Sequence, residues 1–558
     1  MRVYIFEYII FRTRIYSSYR IFVAMFFADL SLDGNHFLFI LLVAASYLVK
    51  CVYYFAYGSS IKKIANVPEA KGDVAYFGHL KLLKTNHATE LEKIGDSNHW
   101  EYFQVKFGVE RILILHSFQA GYDIFVKNLT ALIDRPLFYT FHKYVSGTQG
   151  LTVGTSPWDT SCKRRRIAIT RHMTRTSLEK FSDAVDVETF SFIRDLWDAS
   201  EHGRIGIDPF EFCQRMALNV TTMLCYATRF NSMKNPLLKS ILEIVSHISS
   251  FRSTNNNLQD YVIPFRYLPD RRREEASEYS NKRDVWLNEL FNKALERSEI
   301  KESLVSSLKD PKSKLDIKDL KSICVSLVSG GFETLASIAT LLIAQICTVR
   351  GQKWQERAHS ELMDLYGSGD VAWERSIIEE KCPFIVAFIK ETLRYYAVIP
   401  LCPPRKTTKS FEYKGTVIPS GITVILNTQA ANHDKSYYGK DADEFIPERW
   451  MQEPYEANKP PFHFTFGAGS RACPGILLSN RILFATFARL ITLFKIKSLG
   501  SDPELYYKTY SRSTVAQTYS PKPFNVFLEA RESALIERCL EKSKNSTQDL
   551  LDLSHEYI

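Results

Sequence analysis

A chain of 558 residues that is 45% hydrophobic, 13% aromatic and 24% charged has a globular balance, which confines disorder to its ends. Its formal net charge of +9 is spread along the chain, and the densest run, Lys163-Arg164-Arg165-Arg166, has no recognised nucleic-acid module beside it. An acidic protein partner, anionic lipid or an anionic cofactor accounts for the charge better than nucleic acid does. Ten cysteines without a C-x-x-C pair argue against a disulfide scaffold and a zinc site, and fit a reducing, cytosol-facing compartment.

Residues 1–36 read as an N-terminal extension, followed at Phe37–Tyr57 by twenty-one residues whose one charge is Lys50. That stretch is long enough to span a bilayer as a single anchor. Aromatic residues crowd its far end, and Lys62 with Lys63 place the downstream side in the cytosol. A cleaved signal peptide or a buried core helix would be the alternative; the stretch is long for the first, and no small-residue cleavage site follows. Arg2, Arg12, Arg14 and Arg20 against Glu7 would pull the opposite flank inward. A start at Met25 removes the conflict, so residues 1–24 are expected to be a gene-model extension, the rival being a basic organelle presequence.

No Gly/Ser-rich or Pro-rich linker divides the region that follows, so residues 58–530 are expected to form one domain, with a polar C-terminal tail over 531–558. Apolar stripes of helical period run from Asp208 to Phe230 and from Leu315 to Val349. From Phe411 to Leu426 the pattern changes to short strand-like runs broken by turns. The expected fold class is mainly α with small β-sheets.

The sharpest chemical signal is the loop Phe466-Gly467-Ala468-Gly469-Ser470-Arg471-Ala472-Cys473-Pro474-Gly475, which runs into an apolar helical stretch. Pro474 suits a first helical position, where its missing N–H would have had no partner. Cys473 then stands at a helix N-terminus, where the macrodipole and unpaired N–H groups favour a thiolate. The glycines allow close approach to something flat, and Arg471 offers a fork of donors to a carboxylate. The ordinary alternative is a structural cysteine in a Gly-rich loop.

Two further patterns are weaker alone. Glu391 and Arg394 are three apart on one helix face, the spacing of a common solvated pair. Gly330-Gly331-Phe332-Glu333-Thr334 sets two glycines within an apolar helix, at a cost of roughly 1 kcal/mol each relative to Ala. A close helix crossing or a functional distortion would explain them.

Together these residues resemble the cytochrome P450 family, and the cysteine loop matches its haem-binding pattern F-x-x-G-x-R-x-C-x-G at Phe466, Gly469, Arg471, Cys473 and Gly475. The resemblance covers roughly residues 60–530. It implies a cytochrome P450 fold behind one transmembrane helix, with haem b held by Cys473 as axial thiolate in a pocket that also includes Phe466, Gly467 and Gly475. It implies that Glu391, Arg394 and Arg449 of Pro447-Glu448-Arg449 form a buried ion network of structural role. Glu333 and Thr334 then organise proton delivery to bound O2, while Leu335 stands where a second hydroxyl is frequent. Near Trp158 the family's W-x-x-x-R is broken by Cys162. Lys163 or Arg164, with Trp158 and Arg405, is expected to supply further propionate contacts beside Arg471; a solvated face that meets the reductase is the other reading of that run. The membrane-proximal hinge keeps only Pro68 and Gly78-His79-Leu80 of the usual pattern.

The resemblance further implies an NADPH-cytochrome P450 reductase as electron donor, cytochrome b5 as a second candidate, O2 as co-substrate and residence in the endoplasmic reticulum membrane. The stretches GTSPWDTSCKRRR, SGGFET, TLRYYAVIPLCPPR and HFTFGAGSRACPG look most like fungal phenylacetate hydroxylases. A small, lipophilic, aromatic acid is therefore the leading substrate, with pocket walls from Phe138–Thr155, Val328–Phe332 and Val398–Leu401. No lone basic residue in those stretches marks itself as a carboxylate anchor. Hydroxylation of another lipophilic substrate in secondary metabolism, a haem-thiolate isomerase or dehydratase, and a non-catalytic membrane haem carrier are the competing readings. The last two fit poorly with an acid and threonine pair and with a tightly held haem.

Overall fold

The computed structural model describes residues 41–49, 63–74, 77–83, 86–147, 149, 151–252, 258–297, 303–306, 314–451, 462–514 and 516–552. The chain divides into two units, residues 1–58 and 59–558. In the first, residues 41–49 are helical with every side chain exposed. The ends of the expected Phe37–Tyr57 span, and residues 1–24, lie outside the described residues. Among the described residues, Ile317–Cys347 and Ile476–Leu493 are long and apolar enough to cross a membrane. Both are mostly buried in the second unit, at 67% and 72% of their most apolar windows, so they are core helices.

The second unit is mainly helical with small sheets. Helix α1 (His87–Asn98) is capped by Asn86, whose side chain accepts from the Thr89 N–H. Strands β1 (Tyr102–Phe107) and β2 (Glu110–Leu115) form an antiparallel hairpin, with Gly108 at φ +55° in its turn. Phe103, Val105, Phe107 and Ile112 to Leu115 bury this hairpin. Helix α2 (Phe118–Phe125) follows, capped by Ser117.

Helix α3 (Thr160–His172) starts at Asp159, whose side chain accepts from the Cys162 N–H. Helices α4 (Ser182–Ala199), α5 (Phe210–Tyr226), α6 (Pro236–Ser250) and α7 (Arg271–Glu296) lead to the 31-residue helix α8 (Ile317–Cys347). The striped segments at 208–230 and 315–349 thus correspond to α5 and α8, which pack on each other. A Cβ on Gly331 would meet Thr221 Cγ2 at 2.8 Å, so this glycine permits the crossing. α8 is helical throughout, and of the two explanations for Gly330-Gly331 the packing of Gly331 against Thr221 supports the close crossing.

Helix α9 (Val349–Tyr366) and α10 (Pro383–Tyr396) precede the strand region. Strands β3 (Arg405–Lys406) and β6 (Thr423–Leu426) join the first hairpin in a sheet of order β1-β2-β6-β3, with β2 and β6 parallel. β4 (Phe411–Tyr413) and β5 (Thr416–Ile418) form a separate hairpin between them in sequence. Helix α11 (Ile476–Leu493) leaves the cysteine loop and runs through the core. Strands β7 (Phe494–Ser498) and β8 (Val526–Ala530) close the last sheet.

The stretch read as a polar tail, 531–558, contributes helix α12 (Ser533–Ser546), which buries Leu535, Ile536 and Cys539. Its apolar residues recur at helical spacing, which overrides its polar composition.

Candidate active site

The cysteine loop is folded back on itself before α11 begins. The Cys473 N–H donates to Phe466 O at 2.9 Å, and Gly467 and Gly469 take φ of +68° and +63°. At Gly469 a Cβ would stand 2.1 Å from Phe125 O, so the loop can reach α2 only with glycine there. Pro474 is not the first helical residue as expected. It lies in the turn before Gly475, the N-cap of α11, and the Gly475 N–H donates to Cys473 Sγ at 3.4 Å. The proline's lack of an N–H leaves the next amide as the one that reaches sulfur.

Cys473 is accessible, and what it faces is a cavity of about 300 Å³ that Thr334, Phe466, Gly467, Arg471 and Gly475 also line. Burial pushes its thiol up, while the Gly475 N–H and Arg166 pull it back. The helix end therefore assists a thiolate without securing one; coordination to a metal deprotonates a thiol outright.

Four arginines gather at this end: Arg135, Arg166 and Arg471 line the cavity, and Arg405 is wholly buried beside them. Arg471 donates to Ile133 O and Val153 O, each at 3.0 Å, and its guanidinium lies 5.9 Å from the Trp158 ring. Arg405 donates to Ala468 O and Leu132 O, and Arg135 donates to Pro403 O and Pro404 O. Arg166 donates to Ala472 O at 3.0 Å. Burial, reinforced by their mutual repulsion, pushes Arg135 and Arg471 down to about 9 and Arg405 to about 10, and burial lowers Arg166. Among the described residues no carboxylate forms an ion pair with any of the four, and the Nε atoms of Arg135, Arg405 and Arg471 are buried without a partner.

A buried cation without a counter-ion costs several kcal/mol. The cluster therefore calls for an anion that arrives with a ligand. A flat macrocycle bearing two carboxylates and a metal, set against Cys473, meets both the unpaired guanidinium edges and the open thiol. The residues present fit haem.

Neither Lys163 nor Arg164, one of which was expected to join this cluster, reaches it. Lys163 is exposed. Arg164 turns to Asp319, with Nε 2.7 Å from Oδ2. Arg165 is spent on Leu151 O and Ser322 Oγ. Arg166 and Arg135 line the cavity instead; Arg166 stood out in the sequence only as the end of the basic run, and Arg135 not at all. The signal for Arg166 was helical spacing: Cys162 and Arg166 are four apart on one face of α3. Arg135 lies outside regular structure and offered none.

Thr334 Oγ1 donates to Gly330 O at 2.9 Å, one turn back in α8, and a Cβ on Gly330 would meet open space. Glu333 does not line the cavity. Its carboxylate faces Arg252, with Oε2 3.9 Å from Nη2, and burial raises its pKa against the pull of that arginine. Arg252 was not identified from the sequence, and it does line the cavity.

Glu391, Arg394 and Arg449 meet in the core. Arg394 donates to both Glu391 oxygens at 2.8 and 2.7 Å, and Arg449 Nε lies 3.6 Å from Glu391 Oε1. Remaining Arg394 donors hold Asn432 O, Ala442 O and Glu444 O at 2.8 Å. The Ile446 N–H and Trp450 Nε1 complete the Glu391 shell, each at 2.8 Å. The network ties α10 to the segment that leads into the cysteine loop.

The family model for cytochrome P450 matches residues 68–523. The chain is 38% identical to phenylacetate 2-hydroxylase of Emericella nidulans over 88% of its own length and 95% of the relative's. It is 32% identical to 3-hydroxyphenylacetate 6-hydroxylase of the same organism, over 89% and 95%. A cytochrome P450 monooxygenase of Mycosarcoma maydis is 29% identical over 82% and 86%. The chain belongs to the cytochrome P450 family, and it is a cytochrome P450 monooxygenase. Haem iron is the cofactor that this family implies.

Proposed function

We propose that this enzyme hydroxylates a small aromatic acid of the phenylacetate kind, with Cys473 as thiolate ligand of haem b and electrons from an NADPH-dependent reductase. The observation that carries the reading is the gathering on one cavity of an accessible Cys473, Thr334, and Arg135, Arg166 and Arg471, none of which forms an ion pair among the described residues. The two Emericella nidulans relatives, both named for arylacetate hydroxylation, support the substrate class.

Arg471, Arg405, Arg135 and Arg166 would hold the propionates, with Trp158 beneath Arg471. Phe466, Gly467 and Gly475 would lie against the ring. Thiolate-ligated haem iron supplies oxygen activation, because electron density from sulfur favours O–O cleavage. The chain's own part is positional and protonic. The Thr334 hydroxyl, open to the cavity, can hold a proton where oxygen binds; behind it stands the Glu333 carboxyl, pushed up by burial and facing Arg252. Glu391, Arg394 and Arg449 brace the fold without touching substrate.

The helical residues 41–49, exposed and apolar, fit a single-pass anchor over Phe37–Tyr57 in the endoplasmic reticulum membrane, with the catalytic unit cytosolic. The exposed Lys163 leaves a cationic surface for a reductase or cytochrome b5.

The test is turnover in a reconstituted system. Wild type with reductase and NADPH should convert phenylacetate to a hydroxylated product. Normal carbonyl spectra with no arylacetate turned over would remove the substrate assignment. A red-shifted Soret band retained by the reduced carbonyl complex of Cys473→Ala would remove the ligand assignment.

A further inference from the structure

Arg252 stands two residues beyond α6 and lines the main cavity beside Thr334 and Gln517. It also lines a small adjoining cavity of about 20 Å³ with Phe138 and His87. Its side chain is 15% exposed, but Nε and Nη2 are themselves buried, and neither has a hydrogen-bond partner among the described residues. Glu333 Oε2, at 3.9 Å from Nη2, is beyond hydrogen-bond reach. Nε–H and one Nη2–H point the same way, and this edge matches the two oxygens of a carboxylate.

Arg252 is also electrostatically separate from the four arginines near Cys473. The charges that act on it are Glu333 and Arg283, not Arg135, Arg166, Arg405 or Arg471. The cavity therefore offers two distinct anion sites, and the haem propionates account for one. Around the second, Phe138 supplies an aromatic face, and His87 is held neutral, pushed down to about 4 by burial, so it neither repels nor satisfies an anion.

We infer that Arg252 is the carboxylate anchor that makes this cavity select aromatic acids over neutral aromatics. The inference rests on the aromatic-acid reading above and names the residue that enforces it. Arg252 can serve one carboxylate fully. When the substrate's engages, Glu333 loses its counter-ion, and its burial favours the protonated form, so the buried charge stays balanced.

The experiment is a spectral binding titration of the holoenzyme with phenylacetate and with phenylacetamide, which has the same shape and no charge. Wild type should prefer the acid by about 10- to 100-fold, the range of a charge-assisted hydrogen-bond pair. Arg252→Gln should erase that preference by weakening the acid and leaving the amide within about 2-fold. Arg252→Lys keeps the charge but loses the paired edge, and should fall between. Should Arg252→Gln not yield holoenzyme, the wild-type preference and the lysine variant carry the test. An Arg252→Gln or Arg252→Lys enzyme that keeps the full acid preference overturns the anchor and leaves the aromatic-acid reading standing. A wild type that binds no arylacetate overturns both.

Discussion

Arg166 Nη2 donates to the carbonyl of Ala472 at 3.0 Å, so the guanidinium of α3 is fastened to the residue that precedes Cys473. The same side chain carries a buried charge without a carboxylate partner among the described residues. Arg166→Gln should release haem to an acceptor globin about 10-fold faster or more, from loss of a charged hydrogen bond of roughly 1.5–3 kcal/mol. Lys163→Gln, three residues earlier and exposed, should leave the release rate unchanged. Equal rates for both variants would mean that Arg166 has no part in holding the propionates.

Glu391 is wholly buried and accepts from Arg394, Trp450 and the Ile446 backbone. Glu391→Ala strands two guanidinium groups in the core, a loss of about 3–5 kcal/mol. Thermal denaturation of the holoprotein should show a large fall in midpoint, with little or no haem incorporated at growth temperature. Glu391→Gln, which keeps the acceptor but not the charge, should lose less. A variant with normal yield and melting would show that the network is dispensable.

What the sequence disclosed followed the contiguity of each signal. The loop from Phe466 to Gly475 is one run of residues, and its family pattern is legible there, although Pro474 proved to precede the helix. Glu391 and Arg394 were legible as a helical pair; that Trp450 closes the same carboxylate depends on a chain return of 59 residues. Arg135 and Arg252 sit outside helices and strands, where no periodicity says which way a side chain faces. Conversely, Glu333 and Thr334 are adjacent in sequence, yet on a helix they point about 100° apart, so only Thr334 meets the cavity.

Thr334 keeps its hydroxyl on the cavity wall through the bond to Gly330 O. Thr334→Ala should retain haem and substrate binding but divert reducing equivalents from product to peroxide. Thr334→Ser, which keeps the hydroxyl and loses only the methyl, should restore most of the coupling. Peroxide measured against NADPH consumed checks this, and unchanged coupling in the alanine variant would count against a proton-holding role.

His87 is buried at 4% exposure and pushed down to about 4 by desolvation. A histidine whose folded value lies below its unfolded one of about 6.5 stabilises the fold above that value and loses its contribution as pH falls through the folded value. The window is therefore pH 6.5 to 4, and the loss amounts to roughly 3 kcal/mol by pH 4. Denaturant unfolding of wild type should show this decline. His87→Gln, which carries no titrating ring, should flatten it; an identical slope in the variant would assign the acid sensitivity to other groups.

The C-terminal helix α12 makes a prediction that composition alone would reverse. Ser543 Oγ donates to Asp186 Oδ1 at 2.8 Å and accepts from Trp373 Nε1 at 2.9 Å. Asp186 in turn pairs with the buried Arg489 of α11 at 2.7 Å, so this helix is joined through one aspartate to the helix that follows the cysteine loop. Deleting the chain from Ser533 onward exposes Trp373, opens the Asp186–Arg489 pair to water and removes Leu535, Ile536 and Cys539 from the core. Each aliphatic side chain contributes about 1.5–3 kcal/mol of burial. The truncated enzyme should therefore melt well below wild type, with the carbonyl spectrum of its surviving holoprotein unchanged. Ser543→Ala tests the polar link alone and should cost about 1–3 kcal/mol, the range for leaving a buried partner unsatisfied. Truncation without a shift in melting temperature would show that residues beyond 532 lie on the fold without stabilising it.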